Sequence, residues 1–315
     1  MKSFFSKKWM GLLILALLAF LPCSELRAQE EEEDFETEEG MEAQEDDAVE
    51  AIESAPALLA DAGVGNLLDS LTSYATSRGL HFKQPVISPG FTYTASHDTS
   101  PGGFRGNTFS GDIAMDADIY DGLIAGVLYQ RVSRGASNNR GVKDGLNADG
   151  ASLYFGKRLF DLLNLGASYN HVETRHRLTG SLNANLDSVS DGYTILAGIS
   201  DKKGKWSWST TTSFTYSNDD YDQKQTIQTG RFGWSTGLFY DVTPKFTLGA
   251  AATYYNFVFQ DTFGGPARDD DYYNIGPKFI YYVNDRTTLK VDFDSQQGYK
   301  DFGAYSLRVV CDISL

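Results

Sequence analysis

The segment WSWSTTTSFTYS, residues 206 to 217, separates cleanly into two sets. Trp206, Trp208, Thr210, Thr212, Phe214 and Tyr216 share one parity, and serines and threonines fill the other. Successive side chains of a strand leave on opposite faces, so this pattern predicts a strand between an apolar and a polar environment. The pattern recurs from residue 81 to the end of the chain. RTTLKVDFDSQ sets Leu289, Val291 and Phe293 opposite Lys290, Asp292 and Asp294, and GRFGWSTGLFYDV places Phe232, Trp234, Thr236, Leu238, Tyr240 and Val242 together. The alternation is poorest at GLIAGVLYQRV, where both parities are apolar.

The runs predict twelve strands, at 84–96, 106–119, 122–134, 147–159, 162–174, 189–200, 204–217, 230–242, 245–259, 271–283, 286–296 and 303–315. Each approaches the roughly 9 to 11 residues that a tilted strand needs to cross hydrocarbon. The intervening segments alternate in length. Tight links at 120–122, 160–163, 201–205, 243–245 and 284–286 alternate with longer polar ones such as GASNNRGVKDGL, RHRLTGSLNANLDSV, NDDYDQKQTIQT and DTFGGPARDDD. A soluble sandwich would bury the apolar parity, whereas a membrane barrel turns it toward lipid. The alternating links, the Tyr and Trp residues at run ends and the strand-final C-terminus favour the barrel. The expected fold class is therefore all-β: a transmembrane antiparallel up-and-down barrel of about 12 strands over residues 81–315. An even strand number puts both termini on one side, expected to be the periplasmic side.

The front of the chain supports export. Lys2, Lys7 and Lys8 precede an apolar run from Met10 to Leu21, shorter than the roughly 20 residues of a membrane-spanning helix, so residues 1–28 read as a signal peptide. Cys23 raises lipid attachment as a rival reading, but Pro22 stands where a small residue is expected. Cleavage after Ala28 leaves Cys311 as the single cysteine, which excludes an intramolecular disulfide.

The net charge of -15 belongs to one segment. Residues 29–80 hold sixteen acids against Arg78, giving -15, while residues 1–28 carry +3 and the remainder -3. Like charge and few large apolar groups predict a disordered leader, either a solubilising tail or a segment that screens cations or contacts a basic partner. A short helix is expected at 66–77, carrying Leu67, Leu68 and Leu71.

With a signal sequence, twelve amphipathic strands and a last strand YSLRVVCDISL, the chain resembles bacterial outer-membrane β-barrels, and autotransporter β-domains most in strand number and size. The resemblance implies that Tyr305, Leu307, Val309, Cys311, Ile313 and Leu315 form the signal read by the barrel assembly machinery, although the chain ends on Leu315 where Phe or Trp is usual. It also implies outer-membrane lipid as surroundings and a helix through the lumen, for which 66–77 is the candidate. Residues 29–65 are too short and acidic for a typical passenger.

Candidate chemistry is sparse. His171 and His176 are five apart, so a strand sends them to opposite faces and no shared metal site is expected. The acids of DADIYDG lack the spacing of a calcium loop. His97, Asp98, Asp219, Asp220, Asp269, Asp270 and Asp271 are candidates for a hydrolase near the outer rim, but no spacing fixes a nucleophile or base, and no enzyme or cofactor is expected. No basic patch suggests nucleic acid. The polar parity offers more: Asp112, Asp116, Lys157, Lys278, Lys290, Asp292, Asp294, Arg308 and Asp312 are expected to face the lumen. There they would either set solute preference by their field or fill a narrow barrel as ion pairs. The function expected is a passive small-solute or ion channel, or an autotransporter-like translocator with a vestigial passenger. A structural or adhesive barrel acting through its loops is the alternative.

Overall fold

The structure, a computed structural model, describes residues 85–98, 104–120, 122–138, 141–160, 162–180, 184–221, 225–260, 271–297 and 302–315. The signal peptide, the acidic leader and the 66–77 helix lie outside the described residues. Twelve strands follow one another: β1 (Val86–Asp98), β2 (Phe104–Tyr120), β3 (Leu123–Asn138), β4 (Lys143–Leu159), β5 (Leu163–Thr179), β6 (Ala184–Lys203), β7 (Trp206–Tyr221), β8 (Gln225–Thr243), β9 (Phe246–Gln260), β10 (Tyr272–Asn284), β11 (Thr287–Gln297) and β12 (Phe302–Ser314). Every strand pairs antiparallel with its sequence neighbours, and β12 closes on β1 from Val86 opposite Ser314 to Asp98 opposite Phe302, completing an up-and-down barrel.

The expected parity is the observed one, and it faces outward. Phe109, Ile113 and Met115 of β2 are about half exposed, while Thr108, Ser110, Asp112, Ala114 and Asp116 between them are buried inside the barrel. The opening segment behaves alike: Trp206, Trp208 and Phe214 project outward, Ser207, Thr211 and Thr215 inward. An outward surface of Ile, Leu, Phe and Val suits hydrocarbon, and closure leaves no unpaired strand edge in lipid.

Aromatic residues bound this belt. At the end that carries the termini stand Tyr120, Phe160, Trp206, Tyr240 and Tyr281. At the other end the tyrosine hydroxyls reach polar acceptors: Tyr129 donates to Asp149 at 2.7 Å, Tyr169 to Asp191 at 2.6 Å and Tyr93 to Asn107 at 2.8 Å. Such rings sit where hydrocarbon meets headgroups, apolar body in and hydroxyl out. On β7 the belt runs from Trp206 to Tyr216, which at about 3.3 Å per residue and a tilt of about 40° spans roughly 25 Å, the height of an outer-membrane belt.

Links on the termini side are tight. Gly122 and Gly204 take positive φ there, and the Asp118 carboxylate accepts from Gly122 N at 3.2 Å. Links on the far side are shorter than their polar composition suggests. GASNNRGVKDGL, RHRLTGSLNANLDSV and NDDYDQKQTIQT are mostly strand, since β3 reaches Asn138, β5 Thr179 and β7 Tyr221. Beyond the tyrosines both faces of the wall meet water, so alternation disappears while the backbone ladder continues. Ion pairs such as Arg177 with Asp187 hold the outer faces of these extensions.

Candidate functional site: the barrel lumen

Two different walls face each other across the lumen. The first runs through β10, β11, β12, β1 and β2 and is charged. Lys278 Nζ lies 2.8 Å from Asp294 and 3.6 Å from Asp292. Lys290 lies 2.9 Å from Asp312, and Arg308 3.8 Å from Asp112. The last pair spans the intervening β1, where Gly90 makes room: a Cβ at Gly90 would stand 2.5 Å from the Asp112 carboxylate. Asp116 ends the series, accepting the Tyr154 hydroxyl at 3.0 Å. Three bases thus meet five acids. These side chains remain partly exposed, except Asp112 and Asp116, which are buried.

The second wall runs from β2 to β6 and is apolar. Ala114, Ile124, Leu128, Tyr154 and Leu196 pack together, and farther from the termini Val132, Leu146, Ala148 and Val172 form another patch. Tyr154 is 0% exposed and its ring covers Gly126, whose missing Cβ would lie 2.2 Å from it. This wall explains the poor alternation of GLIAGVLYQRV: Val127 and Tyr129 face lipid while Ile124, Leu128 and Val132 face the lumen, so both parities must be apolar. Hydroxyls join the two walls along β6 and β7, where Thr194 and Thr215 meet at 2.9 Å.

Near the far mouth are two further groups. Asp144 is bonded to His176 and lies 3.5 Å from Arg134, all three facing inward. Arg231 stacks over the Tyr255 ring at 4.6 Å and donates to the Tyr272 hydroxyl at 2.8 Å, while Tyr255 and Tyr272 stack at 4.8 Å. Toward the termini, Arg158 donates to Ser200 Oγ at 2.9 Å, and Lys202 pairs with Asp241 at 2.8 Å.

Eight of the nine expected lumen charges lie on the inward parity: Asp112, Asp116, Lys278, Lys290, Asp292, Asp294, Arg308 and Asp312. Lys157 does not join them. It alternates with Leu153 and Phe155 on the lipid-facing side, at the end of β4 nearest the termini, where its long stem can carry the ammonium to the interface. Tyr305, Leu307, Val309, Cys311 and Ile313 lie on the outward parity of β12, at the closing seam, and Leu315 follows the strand on the same parity. Sequence reasoning did not place Arg134, Asp144, His176 and Arg231 in the lumen. The first three lie in or beside segments taken for loops, and the signal that finds them is parity continued past the belt.

The hydrolase candidates are not assembled. His97 faces outward on β1 and stacks on Tyr305 with centroids 6.4 Å apart, whereas Asp219 and Asp220 lie on β7, six strands away. Asp271 accepts from Tyr254 and Asn256, and Asp269 and Asp270 lie outside the described residues. His171 faces outward and His176 inward. Among the described residues no cluster of three or more His, Cys, Asp or Glu is placed to hold a metal ion.

The translocator domain of the autotransporter NalP from Neisseria meningitidis superposes with a TM-score of 0.64, covering 82% of this chain and 98% of that domain at 11% identity. The barrel is similar to autotransporter translocator domains. The transport unit of AIDA-I from Escherichia coli agrees, with a TM-score of 0.57 over 80% of this chain and 98% of its own at 9% identity. An outer-membrane channel from Pseudomonas putida F1 also matches, with a TM-score of 0.57 over 74% of this chain and 96% of its own at 12% identity. At such identities the likeness is one of fold: an outer-membrane β-barrel of the autotransporter β-domain type. No protein-family model and no curated protein matches the sequence.

Proposed function

We propose that the barrel is a narrow outer-membrane channel for small solutes, with its termini in the periplasm and with cations favoured over anions. The observation that carries this reading is the division of the lumen. Inward side chains on the β2 to β6 wall are largely buried, whereas the charged side chains of β10 to β12 stay partly exposed, so the free path follows the ion-pair strip. The exposed charges of β10 to β12 balance, and the buried Asp112 and Asp116 of β2 behind them bring the wall to five acids against three bases, an excess whose field raises cation occupancy in a confined polar path. Twelve strands lie between the filled eight-stranded barrel and the open sixteen-stranded one, so a lumen narrowed by side chains fits this size. Residues 66–77, expected from their sequence to form a helix and outside the described residues, are the proposed resting plug; what supports this is that the described chain begins with Pro85 at the barrel seam, its carbonyl accepting from Leu315 N at 3.0 Å.

Single-channel recording in planar bilayers tests the proposal. The mature chain should give small conductance steps with a reversal potential favouring cations, and deletion of residues 29–80 should enlarge the steps. An unchanged current after the deletion rejects the plug, and a silent bilayer with both proteins rejects the channel. A second reading, a translocator with a vestigial passenger, is favoured by the near-complete coverage of the NalP domain. It predicts instead that residues fused ahead of the leader reach the cell surface.

A further inference from the structure

Four aspartates are buried among the described residues. Asp112 faces Arg308, Asp144 faces Arg134 and His176, and Asp116 closes the ion-pair strip with the Tyr154 hydroxyl. Asp219 belongs to no such group. It points inward on β7 beyond Tyr216, where the hydrocarbon belt ends, and only 5% of its surface is exposed. The Ser190 hydroxyl, directly across on β6, donates to it, while its Oδ1 makes no hydrogen bond. Burial, with Asp220 next in the chain adding to it, pushes the Asp219 carboxyl up to about 6 against the pull of that hydroxyl. A carboxylate held away from water without a partner is unfavourable, so in its ionised form this group calls for a cation.

The surroundings of Asp219 supply oxygen and no base. β7 carries no Lys, Arg or His, and β6 has none short of Lys202 at its opposite end. On β8 the inward base is Arg231, which stands opposite Thr215, four residues from Asp219, and is engaged by Tyr255 and Tyr272. The inward His176 of β5 is bonded to Asp144, and Arg175 and Arg177 of that strand face outward. What lies close is neutral: Ser188 and Ser190 on β6, Thr229 on β8, and Ser217 and Tyr221 along β7 itself. Asn170 of β5 completes the set. Its cross-strand partner is Gly192, and the amide packs where a side chain there would stand, since a Cβ at Gly192 would lie 3.6 Å from Asn170 Nδ2. Asn170 is 2% exposed, yet neither its oxygen nor its nitrogen has a hydrogen-bond partner. Gly192 and Ser190 are about 6.6 Å apart along β6, so Asn170 and Asp219 flank that strand from either side over a glycine and a serine.

We propose that Asp219 and Asn170 hold a partly dehydrated alkali-metal ion inside the far mouth, with the Ser190 hydroxyl and water completing its oxygen shell. One full negative charge among neutral oxygens suits a monovalent ion, whereas a divalent one draws on several carboxylates. Oxygen donors without sulfur or ring nitrogen favour an alkali ion over a transition metal. The ion takes the place that Arg308 fills beside Asp112, and it competes with a proton for Asp219. This site is separate from the ion-pair strip, and its occupancy needs no current through the barrel.

Infrared difference spectroscopy of the protonated carboxyl stretch tests the site. The full mature protein is reconstituted in lipid vesicles and titrated through pH values around the Asp219 midpoint of about 6. The titration is made in rubidium chloride and in N-methylglucamine chloride of equal ionic strength, and the band lost in Asp219→Asn reports this group. In rubidium the midpoint should fall by about one pH unit when the ion exceeds its dissociation constant about tenfold, and the fall should grow with rubidium concentration. Asn170→Ala should keep the band and lose at least about half of that shift. Heat-modifiable migration checks that each variant is folded, and Asn170→Ala decides the matter alone if Asp219→Asn does not fold. An identical midpoint in the two salts marks a carboxyl that is merely buried and overturns the proposal. So does a rubidium shift that persists in folded Asp219→Asn or is undiminished in folded Asn170→Ala. No conductance is read, so a barrel that passes no current gives the same answer and the channel reading is judged separately.

Discussion

Replacing Gly126 by alanine probes the lumen wall with one methyl group. The added Cβ would lie 2.2 Å from the Tyr154 ring and 2.4 Å from its hydroxyl oxygen, against an ordinary contact of 3.4 Å or more, so the ring must move by over an ångström. Tyr154 has little freedom to do so, being fully buried against Ile124, Leu128, Ala114 and Leu196 and tethered to Asp116. Overpacking of this kind costs about 1–3 kcal/mol, and losing the hydrogen bond to a carboxylate adds about 1.5–3. Relief of one by the other leaves roughly 2–4 kcal/mol in all. Gly111 supplies the control, because a Cβ there meets nothing within 4 Å, and Gly111→Ala should stay within about 0.5 kcal/mol of the parent. Urea titration of barrels folded into lipid vesicles, read by gel mobility of the unheated protein, compares the two. If Gly126→Ala is as harmless as Gly111→Ala, Tyr154 does not cover the glycine and the apolar wall is misdescribed.

Other expectations follow the same geometry. Lys278→Met leaves Asp292 and Asp294 without their ammonium, and one charge about 6 Å from a permeant ion in water contributes about 0.7 kcal/mol, in favour of a cation and against an anion, so the cation-to-anion ratio should rise about tenfold in reversal-potential measurements across a salt gradient. Ala197→Arg, on the outward parity of β6 opposite Thr212, places a charge near the middle of the lipid-facing belt and should destabilise the folded barrel by about 2–4 kcal/mol in the same urea assay, whereas Ser213→Arg, one strand away on the inward parity, should alter conductance more than stability. Arg231→Ala removes a ring contact and a hydrogen bond to Tyr272, so it should lower stability by about 2–4 kcal/mol, and recovery by Arg231→Lys should be poor because an ammonium does not stack as a guanidinium does.

The barrel was readable in the sequence because hydrocarbon imposes a strict rule. Wherever the outer face meets lipid, as between Trp206 and Tyr216, one parity must be apolar and strands announce themselves. Legibility fades where that rule lapses. Past the tyrosines, Arg175, Arg177, Asp187 and His176 give polar residues on both parities, and segments that extend the wall resembled loops. Between Ile124 and Val132 the lumen is itself apolar, and alternation vanishes for the opposite reason. Lys157 was assigned by its charge rather than by its neighbours Leu153 and Phe155. The Arg231 group could not be anticipated at all, since Tyr255 and Tyr272 are brought together only by the pairing of β9 with β10.

The seam between β1 and β12 joins Val86 to Ser314, so the sheet loses its two edges only when the first and last strands of the barrel meet. Until then both flanking ladders display open amides and carbonyls, which in a greasy polypeptide invite fusion with any neighbouring chain. Ring formation of this kind is all or nothing: a sheet of eleven paired strands has as many free edges as one of two, and only the final pairing removes both.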